Sequence, residues 1–149
     1  MDEINGLEGN DRICGGPGRD RLTGGGAQGS DPYERLLGGK GADTIFFEGA
    51  DGGATVKLRA RGPKRGGIYK ARGLGGARVI GIENVRGTRF GDILRGDALA
   101  NRLRGRKGDD KLVGRGDGDA LSGGPGNDEA QGGRGSDDCR DAETKSECE

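Results

Sequence analysis

The sequence predicts an all-β solenoid of short parallel strands, wound in coils of about eighteen residues. Three observations predict it. Glycine supplies 36 of 149 residues and recurs on a fixed beat. In the second half an acid or its amide occupies every ninth position, and a small or apolar residue follows two places later. The large aliphatics and Phe make up about a sixth of the chain, below the roughly 20% under which disorder is suspected. Yet 25 acids balance 25 bases, so the high net charge that accompanies disorder is missing. A periodic, neutral, apolar-poor chain asks for a repeat fold stabilised by more than a hydrophobic core.

The units read in order as follows. Residues 6–14 (GLEGNDRIC) and 15–23 (GGPGRDRLT) open the array, with Asp11 and Asp20 at the sixth place. Residues 24–37 (GGGAQGSDPYERLL) form a unit stretched by insertions, with Asp31 at the acidic place and Glu34 as the competing alignment. Residues 38–46 (GGKGADTIF) restore the beat with Asp43. Residues 47–86 break it: two alternating runs, 55–60 and 78–85, read as strands extending the roll, joined by a mobile basic loop at 61–67. Six gapless units follow from Gly87: GTRFGDILR, GDALANRLR, GRKGDDKLV, GRGDGDALS, GGPGNDEAQ and GGRGSDDCR. Their sixth places hold Asp92, Asn101, Asp110, Asp119, Asp128 and Asp137, and their eighth places Leu94, Leu103, Leu112, Leu121, Ala130 and Cys139. The expected organisation is one continuous solenoid: degenerate repeats at 1–46, a β insertion at 47–86, six tandem repeats at 87–140 and a cap at 141–149.

Each place in the unit has a physical reason. Glycines at the first, second and fourth places permit positive φ and let carbonyls converge without Cβ interference. The triplet after the acid is a short strand, and alternation sends only its middle residue inward. Two units make a coil, so acids stack about 4.8 Å apart. Unpaired, two such carboxylates repel by roughly 3 kcal/mol at an effective dielectric of 20. One leucine per nine residues does not outweigh that together with the ordering entropy of glycine. A hard divalent cation does. Calcium takes six to eight oxygens, carbonyls included, and tolerates irregular geometry, whereas magnesium demands a strict octahedron. There is no His, and the thiols lack zinc spacing. Several Ca2+ ions are therefore expected.

Units such as GGPGRDRLT, GGKGADTIF and GGPGNDEAQ resemble the RTX, or haemolysin-type, calcium-binding nonapeptide GGxGxDxUx. Segment 79–94 (VIGIENVRGTRFGDIL) is similar to the joint that leads into such arrays. The resemblance implies a right-handed parallel β-roll with each ion between stacked turns two units apart. One turn would give the carbonyls of its second and fourth residues plus its acid, and the next turn the carbonyls of its first and third residues plus its own. Carried over, one site takes Arg106, Gly108 and Asp110 with Gly123, Pro125 and Asp128. A second takes Arg115, Asp117 and Asp119 with Gly132, Arg134 and Asp137. The turn residues Gly105, Lys107, Gly114 and Gly116 complete the candidate set. Further pairs are Asp92 with Asp110, Asn101 with Asp119, Asp20 with Asp43, and Asp11 with Asp31. Asn101 lacks a charge, and Phe90 and Leu99 replace the fourth-place glycine, so those two turns should bind more weakly. Outside these roles, Asp109 and the side chain of Asp117 read as surface acids.

The three cysteines point to an oxidising compartment. Cys139 and Cys148 bracket a stretch that resembles the C-terminal cap of some secreted proteins of this type, and the resemblance implies a disulfide there, stabilising by roughly 2 to 3 kcal/mol. Cys14 has no obvious mate. Met1 falls inside repeat-like sequence, as expected of a mature or excised portion, and no apolar run approaches the roughly 18 residues of a membrane span.

Other chemistries find little support. Without His, and with serines lacking partners, no nucleophile and base constellation is expected. The GGKG at 38–41 is followed by Ala42, not the Ser or Thr of a phosphate loop, and no EF-hand loop fits. The two Arg-Gly-Asp tripeptides, at 95–97 and 115–117, fall out of the repeat. Two Tyr, three Phe and no Trp argue against nucleic acid. Lys57, Arg59, Arg61, Lys64, Arg65 and Lys70 offer a contact for an anionic polysaccharide, although a solvated loop is the plainer reading. The expected function is a secreted, non-enzymatic calcium-binding scaffold or adhesion module. The rivals are a calcium-stabilised polysaccharide binder and the repeat domain of a larger secreted hydrolase.

Overall fold

The computed structural model describes residues 1–7, 11–23, 35–47, 49–59, 66–71 and 75–148. Asp31, its competitor Glu34 and the loop bases Arg61, Lys64 and Arg65 lie outside the described residues. Within them every element is a strand: β1 Glu3–Asn5, β2 Arg12–Gly18, β3 Arg21–Thr23, β4 Arg35–Gly41, β5 Thr44–Phe46, β6 Ala54–Arg59, β7 Gly66–Ala71, β8 Gly75–Ile80, β9 Asn84–Arg86, β10 Ile93–Arg95, β11 Arg102–Arg104, β12 Lys111–Arg115, β13 Ala120–Ser122, β14 Glu129–Gly133, β15 Asp138–Arg140 and β16 Thr144–Ser146. Among these residues no helix is long and apolar enough to cross a membrane.

The strands form two sheets. A narrow one runs β1-β3-β5-β9-β11-β13-β15, and a broad one β16-β14-β12-β10-β6-β7-β8-β4-β2. Successive strands of the repeat alternate between the sheets, and each pairs in parallel with the strand one coil away. Leu94 registers with Leu112 and then Ala130; Leu103 registers with Leu121 and then Cys139. This is a parallel β-roll. The shift of eighteen residues between partners follows directly from two nonapeptides per coil.

Alternation leaves one inward side chain per triplet. Leu22, Leu36, Ile45, Leu94, Leu103, Leu112, Leu121 and Ala130 are fully or almost fully buried and make one continuous core. Their neighbours at the seventh and ninth places mostly face outward, as the burial of β10, β11 and β15 shows. Because the core is only one residue deep from each sheet, the turns at the two edges account for much of the buried polar surface.

The insertion departs from the expected simple extension. β6 pairs in parallel with β10, three places away from β4, and the chain then doubles back through β7, which is antiparallel to both β6 and β8. β8 takes the place next to β4. Gly66 and Gly67, read from sequence as loop, belong to β7. The run 78–85 is likewise not one strand: Gly81, at φ 66°, turns the chain out of the broad sheet, and β9 begins in the narrow one beside β5. Phe47, Ala50, Ala54, Val56, Leu58, Ala77 and Ile82 thicken the core here. The insertion is thus a three-stranded meander where the repeat would have one strand.

At the C-terminus β16 pairs with β14, so the last residues form a further degenerate half-coil. Cys139 and Cys148 are joined by a disulfide, with Cα atoms 5.8 Å apart. It ties the inward residue of β15 to the segment beyond β16. Cys14 is exposed on β2 and free.

Candidate metal centres

The turns between the sheets stack along two edges. One edge carries Asp11, Asp92, Asp110 and Asp128; the other carries Asp20, Asp43, Asn101, Asp119 and Asp137. All of these except Asp11 are buried. From Asp20 onward, each sixth-place side chain reaches back one coil to the main chain. Asp110 Oδ1 accepts from Asp92 N–H at 2.7 Å, and Asp128 Oδ1 from Asp110 N–H at 2.8 Å. On the other edge Asp119 accepts from Asn101, Asp137 from Asp119, and Asp43 from Asp20, at 2.7 to 2.8 Å. One oxygen of each acid is therefore spent on holding the coils in register.

The second oxygen is a different matter. The Oδ2 atoms of Asp11, Asp20, Asp43, Asp110, Asp119, Asp128 and Asp137 are buried and make no hydrogen bond. A buried carboxylate oxygen without a partner is costly, so each needs a proton or a cation. Burial, the largest cause, pushes Asp110 up to about 7, reinforced by Asp92, Asp128 and Asp109. Burial likewise raises Asp119 to about 7, with Asp137, Asp97 and Asp117 adding to it. Asp43, Asp128 and the fully bonded Asp92 are raised for the same leading reason.

Carbonyl oxygens crowd the same places. A Cβ on Gly114 would meet Asp119 Oδ2 and stand 2.6 Å from the Gly132 carbonyl oxygen; one on Gly87 would stand 2.7 Å from that of Gly105. First-place glycine is thus required because the unit's own acid and the next coil's carbonyl converge on it. The second- and fourth-place carbonyls point the other way, toward the following coil: those of Arg106 and Gly108 face Gly124 and Gly126, and those of Arg115 and Asp117 face Gly133 and Gly135. Both sets of carbonyls border one inter-turn gap. The gap between turns 15–20 and 38–43 is bordered in the same way, by Gly16, Gly18 and Gly38 with Asp20 and Asp43. Sequence reasoning named only the two acids there, although it has the fullest set of glycines.

Among the described residues no three carboxylates or thiols converge on one point. A cation here would draw most of its oxygens from the main chain. That donor set, hard carbonyls with one or two carboxylates and neither imidazole nor thiolate, fits calcium.

Two turns behave otherwise. At 87–92 the Thr88 hydroxyl donates to Asp92 Oδ1 at 3.0 Å, and Thr88 N–H donates to Oδ2 at 2.7 Å; Ala54 N–H adds a bond to Oδ1. Thr88 Oγ1 also accepts from Phe90 N–H. At 96–101 Asn101 Oδ1 accepts from Asp97 N–H, and its amide donates to the Glu83 carbonyl; Asp97 Oδ1 accepts from Leu99 N–H. Side chains at the second place here do what glycine and an ion would do elsewhere. Asp92 and Asn101 are brought into the stacks as expected, but their own side chains are already bonded within the protein, and the buried Oδ2 of the 96–101 turn belongs to Asp97.

Three acids of the ladder escaped the period. Glu83 Oε2 accepts from Asp43 N–H, and Glu143 Oε2 from Asp128 N–H. Both stand immediately before a strand triplet where the preceding turn is shortened, the signal by which they could have been found. Asp2 has the same place before β1, and its N–H donates to Asp20 Oδ1. Asp109 accepts from Asn127 N–H at the exposed rim.

An all-β roll whose turns gather buried carboxylates and main-chain carbonyls in register is a calcium-type β-solenoid. The chain matches the family described as RTX calcium-binding nonapeptide repeat in four copies, over residues 1–29, 34–52, 86–121 and 113–140. These cover more than half of it, and the chain belongs to that family. Repeats of this family bind Ca2+. Among curated proteins none matches the chain.

Proposed function

We propose that this chain is a secreted, non-enzymatic module that is folded by calcium and serves as an extracellular scaffold or adhesion element. The observation that carries it is the set of buried, unpartnered Oδ2 atoms, one per regular turn, each beside converging carbonyls. The residues proposed to hold ions are Arg106, Gly108 and Asp110 with Gly123, Pro125 and Asp128; Arg115, Asp117 and Asp119 with Gly132, Arg134 and Asp137; and Asp20 with Asp43 and their turn carbonyls. When bound, the ion supplies positive charge and an open set of oxygen positions.

The rest follows from the chain. Stacked acids resist burial in their ionised form, and glycine-rich turns resist ordering, so the roll is a poor fold where calcium is scarce. Affinities of about 10⁻⁴ to 10⁻³ M, usual for extracellular modules, would leave the roll destabilised, with its regular turns open, before export and fully folded after it. The disulfide fits that destination.

Circular dichroism during a calcium titration, with magnesium as control, tests this. A cooperative gain of β signal with calcium alone is expected. A chain equally folded in chelator would overturn calcium-coupled folding and leave a constitutive scaffold.

A further inference from the structure

β6 and β7 have no counterparts in the narrow sheet. They add roughly 10 Å to one side of the roll, and two stacked sheets of unequal length stay in contact only by curving toward the shorter. The narrow sheet, with seven strands against nine among the described residues, is the shorter side. A groove of about 650 Å³ crosses β3, β5, β9, β11 and β13.

Its charge is predominantly positive. Arg19, Arg21, Arg86, Arg102 and Arg104 line it, whereas its acids are Asp20 and Asp119, buried in the turn stacks, and Glu83, engaged by Asp43 N–H. Arg86 and Arg104 are direct register partners, one strand spacing apart, and Arg102 lies on the same strand as Arg104. Like charges placed opposite each other weaken a sheet. Acids answer some such positions on both sheets, Glu129 beside Lys111 at 2.6 Å on the broad one and Glu3 beside Arg21 at 3.8 Å on the narrow one; Arg86 and Arg104 have no acid in register. Arg21 is pre-ordered over the Phe46 ring, 5.1 Å from its centroid.

We infer that this groove is a binding site for a linear acidic polysaccharide, carboxylated or sulfated. Guanidinium groups match both anions with paired hydrogen bonds, and a predominantly basic groove focuses its field on a chain lying in it. Thr44 and Asn84 sit in the arginine file at strand spacing; the Thr44 hydroxyl suits a hydroxyl group between charges, while the Asn84 amide already donates to the Asp43 carbonyl. No exposed aromatic side chain lines the groove, which leaves single-stranded nucleic acid without its stacking platform and a protein partner without the buried anchor that interfaces use. The site rests on the calcium-folded roll, since the arginine files exist only when the coils stack.

The test uses the calcium-loaded chain and anisotropy of labelled hexamers: oligogalacturonate, heparin, a neutral glucan and thymidylate. Galacturonate or heparin should bind, salt should weaken the binding, and the stronger of the two tells carboxylate from sulfate. Combined R86A, R102A and R104A should weaken it about tenfold or more. Combined R12A, R35A and R78A, which removes the same charge from the exposed file on the broad sheet, should leave it within about twofold, and R104E alone should mimic the groove variant. Circular dichroism is recorded first: a chain that calcium does not fold counts against the proposed function. A folded chain that ignores both acidic sugars, loses equally in both triple variants or prefers thymidylate overturns the groove.

Discussion

The turns at 105–137 and those at 87–101 occupy equivalent places in successive coils, yet they solve one problem in two ways. In the first group the acid keeps a buried oxygen with no donor, and positive-φ residues at the second and fourth places leave carbonyls facing the gap. In the second group Thr88 and Asp97 fold their side chains over the turn, no positive φ is needed, and Asp92 and Asn101 are satisfied by protein alone. The difference teaches that a nonapeptide coil does not itself demand an ion. What demands one is a sixth-place acid without a second-place side chain to answer it.

Removing calcium should separate the two groups most clearly. In chelator, the amides of Lys111, Ala120 and Glu129 should lose hydrogen-exchange protection by about a hundredfold or more, roughly 3 kcal/mol. The amides of Thr88, Phe90 and Asp97, bonded within their own turns, should lose much less. Uniform loss along the chain would mean that the roll unfolds as one unit and that the side-chain caps confer no local independence.

Substitution should then invert in sign between the groups. Asp110→Asn removes a carboxylate that burial disfavours, so in chelator it should stabilise by about 1 kcal/mol, whereas with calcium it should destabilise and weaken binding. Thr88→Ala withdraws a donor from Asp92 and should cost about 1 to 3 kcal/mol with or without calcium. Urea unfolding in both conditions reads the four values. An Asp110→Asn effect of one sign throughout would remove the unpartnered oxygen from the explanation.

Acid should substitute for calcium in part. Asp110 and Asp119 sit near 7 in the folded chain, against about 4 when unfolded. A raised folded value means that the native state holds the proton more tightly, so its stabilisation is complete below about pH 4 and is lost as pH rises through about 7. In chelator the roll should therefore be more stable at pH 4 than at pH 8. With calcium the slope should reverse, because binding needs the ionised acids. Thermal melts across this range decide it, and a metal-free chain most stable at pH 8 would contradict the raised values.

How much of this was legible differs by layer. The coil, the inward residues at the eighth place and the stacking of the acids follow from the period, because alternation and an eighteen-residue repeat leave no other register. The β6 to β8 meander did not follow: an alternating run fixes which side chains point inward, but not whether the next strand advances or doubles back, and Gly66 and Gly67 read as loop because glycine signals a turn and tight strand contact equally well. Within the site, the weakness of the turns at Phe90 and Leu99 was visible as missing glycine. Its physical remedy was not, since it depends on Thr88 and Asp97 reaching their own turn, a matter of rotamer and main-chain geometry. Glu83 and Glu143 escaped because shortening a turn moves the acid out of phase while leaving it in place before the strand.

The smallest expected effect lies inside the regular turns. Arg106 and Arg115 hold φ near 100°, at 101° and 96°, in the second-place position where Gly16, Gly39, Gly124 and Gly133 hold 94° to 116°. A side chain there is strained by about 1 to 3 kcal/mol, a burden that glycine lacks, partly offset by glycine's larger loss of freedom on folding, about 0.5 to 1 kcal/mol. Arg106→Gly should thus stabilise the calcium-loaded roll by about 1 kcal/mol, and Arg115→Gly by a similar amount. The comparison sharpens the division between the turn types, because Thr88→Gly at the same place in a capped turn should destabilise: it relieves no strain and removes the hydroxyl on which Asp92 relies. If Arg106→Gly proved neutral or harmful while the fold stayed intact, the arginine would be contributing more through its charge, which lies close enough to act on Asp92, than it loses through its backbone.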